Sequence, residues 1–289
     1  MTDDEKFLVK DLTLAECQRF AIENSKDIIA AGFKPEKTFI FADSKYFGTM
    51  YETVLKVQKL INYNQARAVF GFAESDPIGK IAFPPTQIAP CFSEAFPHIF
   101  KGRTDIPCLI PYAIDQDPYF RLCRDIAPRL KLNKPASICS KFFPALQGNS
   151  SKMSASSENT AIFMTDTPNQ IKKKINSHAF SGGGETVEVH RAKGANLAVD
   201  IPFQYLRFFM ESDDELVRVA EEYSSGRMLT GEVKELCIKV LQNFVGEFQK
   251  RRADVTDEIV QQFMSVPPTP REAALMQELA ELKAKQSQA

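Results

Sequence analysis

The run Lys152-Met153-Ser154-Ala155-Ser156 lies mid-chain, shortly after Phe142-Phe143-Pro144-Ala145-Leu146-Gln147-Gly148. One compact ammonium, two hydroxyls and free backbone N–H groups on a loop can close over a triphosphate and meet the charge that builds as pyrophosphate leaves. The chemistry indicated is that of ATP, although five such residues alone also describe a plain solvated loop. A second cluster, Asp115-Gln116-Asp117, ends the apolar stretch Cys108 to Ile114. Polar groups so near a core are costly to bury and need partners.

These groups require a scaffold. Thr13-Leu14-Ala15-Glu16 is a capping box, followed by apolar residues at helical spacing (Leu14, Cys17, Phe20, Ala21, Ile28, Ile29) and then Gly32 as C-cap. Thr38-Phe39-Ile40-Phe41-Ala42 reads as a short buried strand, so helix followed by strand suggests an alternating α/β layer. Met50 to Phe70 reads as helix with a break near Tyr63. Cys108 to Ile114 and Ala136 to Phe143 are further strands. The carboxyl end of the first carries Asp115-Gln116, where open parallel sheets bind ligands, and the second leads into the lysine-serine loop. Beyond Thr167-Pro168-Asn169-Gln170, with Thr as N-cap and Pro at N1, the pattern becomes helical: 170–177, 201–211, 213–224, 231–252 and 256–264. The composition shift near 170 predicts a domain boundary, giving an α/β domain over 1–169, a helical domain over 170–266 and a proline-rich linker with a C-terminal helix over 267–289. Three prolines at 267, 268 and 270 forbid a continuous helix there, and Leu275, Leu279 and Leu282 form a stripe beyond them.

Composition narrows the class. A chain of 289 residues can bury a substantial core. Lys plus Arg (36) nearly balances Asp plus Glu (37), so any RNA contact is local rather than a global basic field. Six cysteines at 17, 91, 108, 123, 139 and 237 form no CxxC pair, which argues against a zinc site and a secreted disulfide frame. An acidic start and the lack of a bilayer-length apolar run make cytoplasmic the default.

Three strings share order and spacing with one known family: Leu109-Ile110-Pro111-Tyr112-Ala113-Ile114-Asp115-Gln116-Asp117-Pro118-Tyr119-Phe120-Arg121, the Lys152–Ser156 loop, and Ala179-Phe180-Ser181-Gly182-Gly183. The chain closely resembles tryptophanyl-tRNA synthetase of the eukaryotic/archaeal type, a class I enzyme. The resemblance runs from Met1-Thr2-Asp3-Asp4-Glu5-Lys6 to about Met264. It implies a partial Rossmann-type parallel-sheet catalytic domain followed by an all-α anticodon-binding domain. The family's His-x-Gly-His-like loop has no counterpart among His98, His178 and His190, so the chain is expected to correspond to the later part of a synthetase.

By resemblance, Glu5, Gln87 and Gln116 are amino-group ligands for tryptophan, with Phe120 beside the indole pocket; an ammonium offers three donors and wants convergent acceptors. For ATP the resemblance implies Lys152 on the β- and γ-phosphates, with Met153, Ser154 and Ser156 in the same loop, Lys6 as a second phosphate contact, and Phe143 in the backbone stretch under the adenine. Lys152, Ser154 and Ser156 are the catalytic set. Magnesium arrives with ATP as substrate, and neither a resident metal nor a tightly bound cofactor is expected. Ser181-Gly182-Gly183-Gly184-Glu185-Thr186 is read as a glycine-rich turn whose positive-φ freedom lets its backbone approach a base. Glu185 stands where the family, more often with Asp, faces a flipped anticodon base; an acid accepting from a cytosine amino group is chemically sound. Lys172-Lys173-Lys174 and Lys250-Arg251-Arg252 are candidate phosphate contacts or solvated faces. The implied partners are tRNA(Trp), tryptophan, ATP and a second copy in a homodimer, with no membrane.

Three readings remain open: a tryptophan–tRNA ligase of which this chain is an incomplete version, a tRNA-binding paralogue without adenylate chemistry, and a tyrosine-specific relative. Given the absent His-Gly-His-like loop, the purified 289-residue chain is expected to form adenylate at best weakly. Adenylate synthesis at ordinary enzyme rates would refute that expectation.

Overall fold

The structure, a computed structural model, describes residues 1–148, Met153, residues 158–267, and Leu275, Gln277 and Glu278. Its contacts divide the chain into two compact units. Met1–Lys26, Phe33–Ser140 and Thr256–Ala289 form the first, and Asp27–Gly32 with Lys141–Val255 form the second. The tail helix expected beyond Pro270 lies outside the described residues, except that Leu275, Gln277 and Glu278 are helical and exposed.

In the first unit, two strands pair in parallel: β1 (Leu109–Ala113) and β2 (Ala136–Ser140), with Leu109 opposite Ala136 and Ala113 opposite Ser140. Parallel neighbours need a crossover. The helix Asp117–Ile126 supplies it, started by Pro118 and by Tyr112, whose hydroxyl donates to Asp117 Oδ1 at 2.7 Å. Phe120, Leu122, Cys123 and Ile126 of this helix are buried with Val57, Ile88 and Phe92. Both strands are shorter than expected: Ile114 starts a 3-10 turn after β1, and β2 ends at Ser140.

The segment 38–42 forms no strand. Its Ile40 N–H donates to the Phe263 carbonyl at 2.9 Å, at the end of helix Asp257–Met264, rather than to a ladder. Phe39 and Phe41 stack at 5.7 Å and meet Tyr46 of helix Asp43–Leu60 at 5.2 and 5.0 Å, so the aromatic pattern reflects a cluster of rings and not a pleat. The helix Leu14–Ala30 begins as expected: Thr13 N–H donates to Glu16 Oε2 at 2.8 Å and Glu16 N–H to Thr13 Oγ1 at 3.3 Å. The break before Tyr63 is also present, with Asn62 Oδ1 capping helix Tyr63–Phe70 through Gln65 N–H. Helix Asp3–Val9 and the short turns between Ile78 and Phe100 were not expected. Pro84, Pro90 and Pro97 each open one of these turns, which are too brief to show a 3.6-residue period.

The second unit is helical: Pro168–His178, Val187–Lys193, Ile201–Phe209, Asp213–Ser224 and Thr230–Ala253. The Thr167–Gln170 capping box forms in both directions, at 2.8 and 3.3 Å. Leu146 is fully buried among Ile171, Ile175, Ile201, Leu206 and Leu241, so the segment entering the lysine-serine loop is fixed to the helical core. Phe180 N–H donates to the Leu146 carbonyl at 2.8 Å.

Lys174 is also inside this unit. Its Nζ lies 2.8 and 2.7 Å from the two carboxylate oxygens of buried Asp166 and 4.3 Å from the centre of the Phe163 ring. Removing one member leaves a buried charge without its partner, which costs about 3–5 kcal/mol. Asp166→Ala is therefore expected to lower the unfolding free energy by about that amount, and Lys174→Met added to it to recover much of the loss, measured by urea denaturation.

Candidate functional site

Two neighbouring cavities in the first unit collect the predicted tryptophan ligands in pairs. Glu5, from helix Asp3–Val9, and Gln116, one turn beyond β1, line a cavity of about 320 Å³ with Phe70, Lys80, Asp115 and Tyr119. Thr2 Oγ1 donates to Glu5 Oε2 at 3.3 Å, and Gln116 Nε2 to Asp115 Oδ2 at 3.3 Å. Burial raises the Glu5 carboxyl above its usual range, the Thr2 hydroxyl opposes this, and the negative charges of Asp4 and Asp115 add to it. Burial and then the Glu5 charge push the Tyr119 phenol up to about 12. Lys80 is held by Asp76 at 2.7 Å, so its charge is already compensated. A half-buried carboxylate beside a second acid, with a glutamine carbonyl to hand, favours a compact cation with several N–H donors.

Gln87 and Phe120 line the second cavity, about 270 Å³, with Phe41, Asp43, Cys91 and Ile110. Phe120 packs its ring 4.7 Å from Tyr112. Asp43, which no motif in the chain singles out, is buried here. Burial above all, with the charges of Asp4 and Asp3, pushes its carboxyl up to about 8. Lys6 is exposed and lines neither cavity.

Lys152, Ser154 and Ser156 lie outside the described residues, while Met153 is partly buried. Before the loop, the two phenylalanines differ. Phe142 is 64% exposed, so core packing does not account for it. The Phe143 ring packs against Tyr205 at 4.3 Å and Phe208 at 4.7 Å. That ring is taken up by the helical core, and the neighbouring Pro144 carbonyl accepts the Tyr205 hydroxyl at 3.3 Å.

In the second unit the turn 181–186 departs from its expected basis. None of Gly182, Gly183 and Gly184 has a positive φ. They are required by closeness instead: a Cβ on Gly182 would stand 2.2 Å from the Asn196 carbonyl oxygen. Glu185 is exposed at the end of this turn, just ahead of the N-cap Thr186. The basic runs are largely committed to structure. Lys174 pairs with Asp166, Lys250 with Glu247 at 2.7 Å, and Arg252 with Asp27 at 2.7 Å, while Arg251 Nε donates to the Ala30 carbonyl at 2.6 Å. Lys172 and Lys173 remain exposed.

The Asp43 carboxyl gives a measurable pH dependence. The folded group keeps its proton up to about pH 8, whereas its ordinary value is 3.8, so its stabilising contribution is complete below about pH 4 and lost as pH rises through 8. Asp43→Asn is expected to gain urea resistance relative to the parent progressively across that window, and a constant difference from pH 4 to 8 would contradict the buried protonated acid.

The family model for class I tRNA synthetases of the W and Y group matches residues 104–246. The human cytoplasmic tryptophan–tRNA ligase is 58% identical over 268 residues, covering 92% of this chain and 57% of the human protein. The cytoplasmic tryptophan–tRNA ligase of Schizosaccharomyces pombe is 58% identical over 266 residues, covering 91% of this chain and 67% of that protein. Among solved structures, the Plasmodium falciparum tryptophanyl-tRNA synthetase superposes with a TM-score of 0.86 at 48% identity, covering 91% of this chain and 70% of that one. The Giardia lamblia tryptophanyl-tRNA synthetase gives 0.87 at 43%, covering 91% and 72%. The chain thus spans a little over half the length of its human relative, and with this identity along nearly all of its own length it belongs to the tryptophanyl-tRNA synthetase family of class I synthetases.

Proposed function

We propose that this protein activates tryptophan with ATP and transfers it to tRNA(Trp) in the cytoplasm, as a homodimer. The supporting observation is that Glu5 and Gln116, far apart in sequence, line one acidic cavity at the carboxyl end of β1, beside the cavity of Gln87 and Phe120. Glu5 and Gln116, with Gln87 from the neighbouring wall, accept hydrogen bonds from the amino acid's ammonium, and Phe120 backs the indole. The carboxylate then attacks the α-phosphorus of ATP, forming the mixed anhydride as the bond to pyrophosphate breaks. Positioning supplies most of the rate.

ATP enters with Mg²⁺ as its substrate complex. Lys152 pairs with the β- and γ-phosphates, Ser154 and Ser156 assist, Lys6 is a further phosphate contact, and the Phe143 backbone supports the adenine. In the second step a terminal tRNA hydroxyl attacks the adenylate carbonyl and AMP leaves. Residues 1–169 are assigned to catalysis and 170–266 to the anticodon, with Glu185 as an acceptor for a base amino group. The relatives are named cytoplasmic ligases, and among the described residues no helix is long and apolar enough to cross a membrane.

Tryptophan-dependent pyrophosphate exchange tests the reading. Exchange together with tRNA binding supports the ligase, whereas tRNA binding without exchange in the full-length protein supports a paralogue. Lys152→Ala in that protein is expected to slow activation by about 100-fold or more while changing tryptophan affinity by less than about threefold. Equal losses in both would remove Lys152 from its assigned role.

A further inference from the structure

The glycine turn of the second unit is held from beneath by two buried side chains. Asp200, fully buried, accepts the Gly182 N–H at 2.8 Å, the Tyr223 hydroxyl at 2.7 Å and the Phe203 N–H at 2.8 Å. His190 is 2% exposed. Its Nδ1 accepts the Gly184 N–H at 3.2 Å and its Nε2 lies 2.8 Å from the Met228 carbonyl oxygen, a pattern that places the ring proton on Nε2. The Tyr223 ring lies 5.5 Å from the imidazole, and its hydroxyl is 3.3 Å from both Ser181 Oγ and Thr230 Oγ1.

Little space remains for this turn to adopt a second shape. A Cβ on Gly183 would stand 2.3 Å from Thr230 Oγ1 and 3.0 Å from His190 Nδ1, and one on Gly184 would stand 2.5 Å from the His190 backbone nitrogen. Alternate N–H groups of the turn are therefore bound from below, and the next side chain along, Glu185, is exposed. Hydrogen-bond discrimination between bases depends on angle as well as distance, and an acceptor on a loose turn loses both geometry and ordering entropy.

We infer that Asp200 and His190 are positioning residues for base reading, which fix the N–H groups of Gly182 and Gly184 so that Glu185 presents its carboxylate to a base amino group in one orientation. This rests on the proposed role of the turn as the anticodon contact. Neither side chain touches RNA in this scheme.

The test is the binding of the full chain to two tRNA(Trp) transcripts that differ by cytosine or uridine at the anticodon base, since uracil lacks the amino donor. The parent is expected to prefer the cytosine transcript about tenfold. E185A should reduce that preference to within about twofold, as should H190M, which fills the volume without either hydrogen bond. H190Q, which can still accept from Gly184 and donate to Met228, should retain most of it. D200N keeps shape but loses the acceptor beneath Gly182; it carries the same expectation as H190M and decides the matter should that variant not fold. A purely structural role would lower the melting temperature of these variants and leave the ratio of the folded protein unchanged. Folded H190M or D200N with the full preference overturns the inference, whereas no preference in the parent, or an unchanged one in E185A, overturns the reading of the turn.

Discussion

The parallel pairing of β1 with β2 governs the arrangement of the first unit. Parallel strands cannot be joined by a tight turn, so the chain must leave the end of β1 and return by a crossover. That exit is the 3-10 turn Ile114–Gln116, and the return begins with helix Asp117–Ile126. Consecutive side chains on a helix diverge by about 100°. Tyr119 accordingly faces one cavity and Phe120 the other. Glu5 and Gln116 thus line one space with Tyr119, and Gln87 lines the other with Phe120, the two rings being carried by the same helix that the sheet topology demands.

The electrostatics follow from what that exit brings together. Asp115 and Glu5 come from distant segments, and Lys80, which lines the same cavity, is bound to Asp76. Partial burial makes the Glu5 charge costly, which shows as its raised carboxyl. A ligand that supplies positive charge and N–H donors relieves this cost in a way that water does less completely. The same reasoning explains why Asp117, adjacent in sequence, has a different role: the Tyr112 hydroxyl and Arg121 hold its carboxyl low, and it starts a helix.

In the second unit, burial of polar groups sets the rules. Asp200 and His190 are kept inside the protein because each has partners for its lone pairs and protons, and those partners include the backbone of an otherwise unsupported turn. Several residues that look in sequence like an RNA-binding charge run are instead spent on internal bonds. Arg251 binds a helix-end carbonyl and Lys174 a buried carboxylate. Exposure, rather than charge density along the chain, separates Lys172 and Lys173 from Lys174.

Local features were legible in the sequence because they are completed within four residues. The Thr13–Glu16 and Thr167–Gln170 boxes, the Asn62 break and the long periodic helix Thr230–Ala253 all depend on neighbours that the chain itself supplies. The apolar runs that became β1 and β2, and the polar string at the end of β1, were legible for the same reason. The sequence also carried the family resemblance, through strings whose order survives whatever the fold does. It could not distinguish the alternating aromatics of 38–42 from a strand, because rings packed in a cluster and rings packed on a sheet have the same pattern. Nor could it show that the turn glycines answer to Asn196, Thr230 and His190 rather than to positive φ, that Asp43 is a buried acid, or that Glu5 and Gln116 share a cavity. Those outcomes depend on which distant segments face one another, and only tertiary structure decides which groups lose their water and which partners replace it.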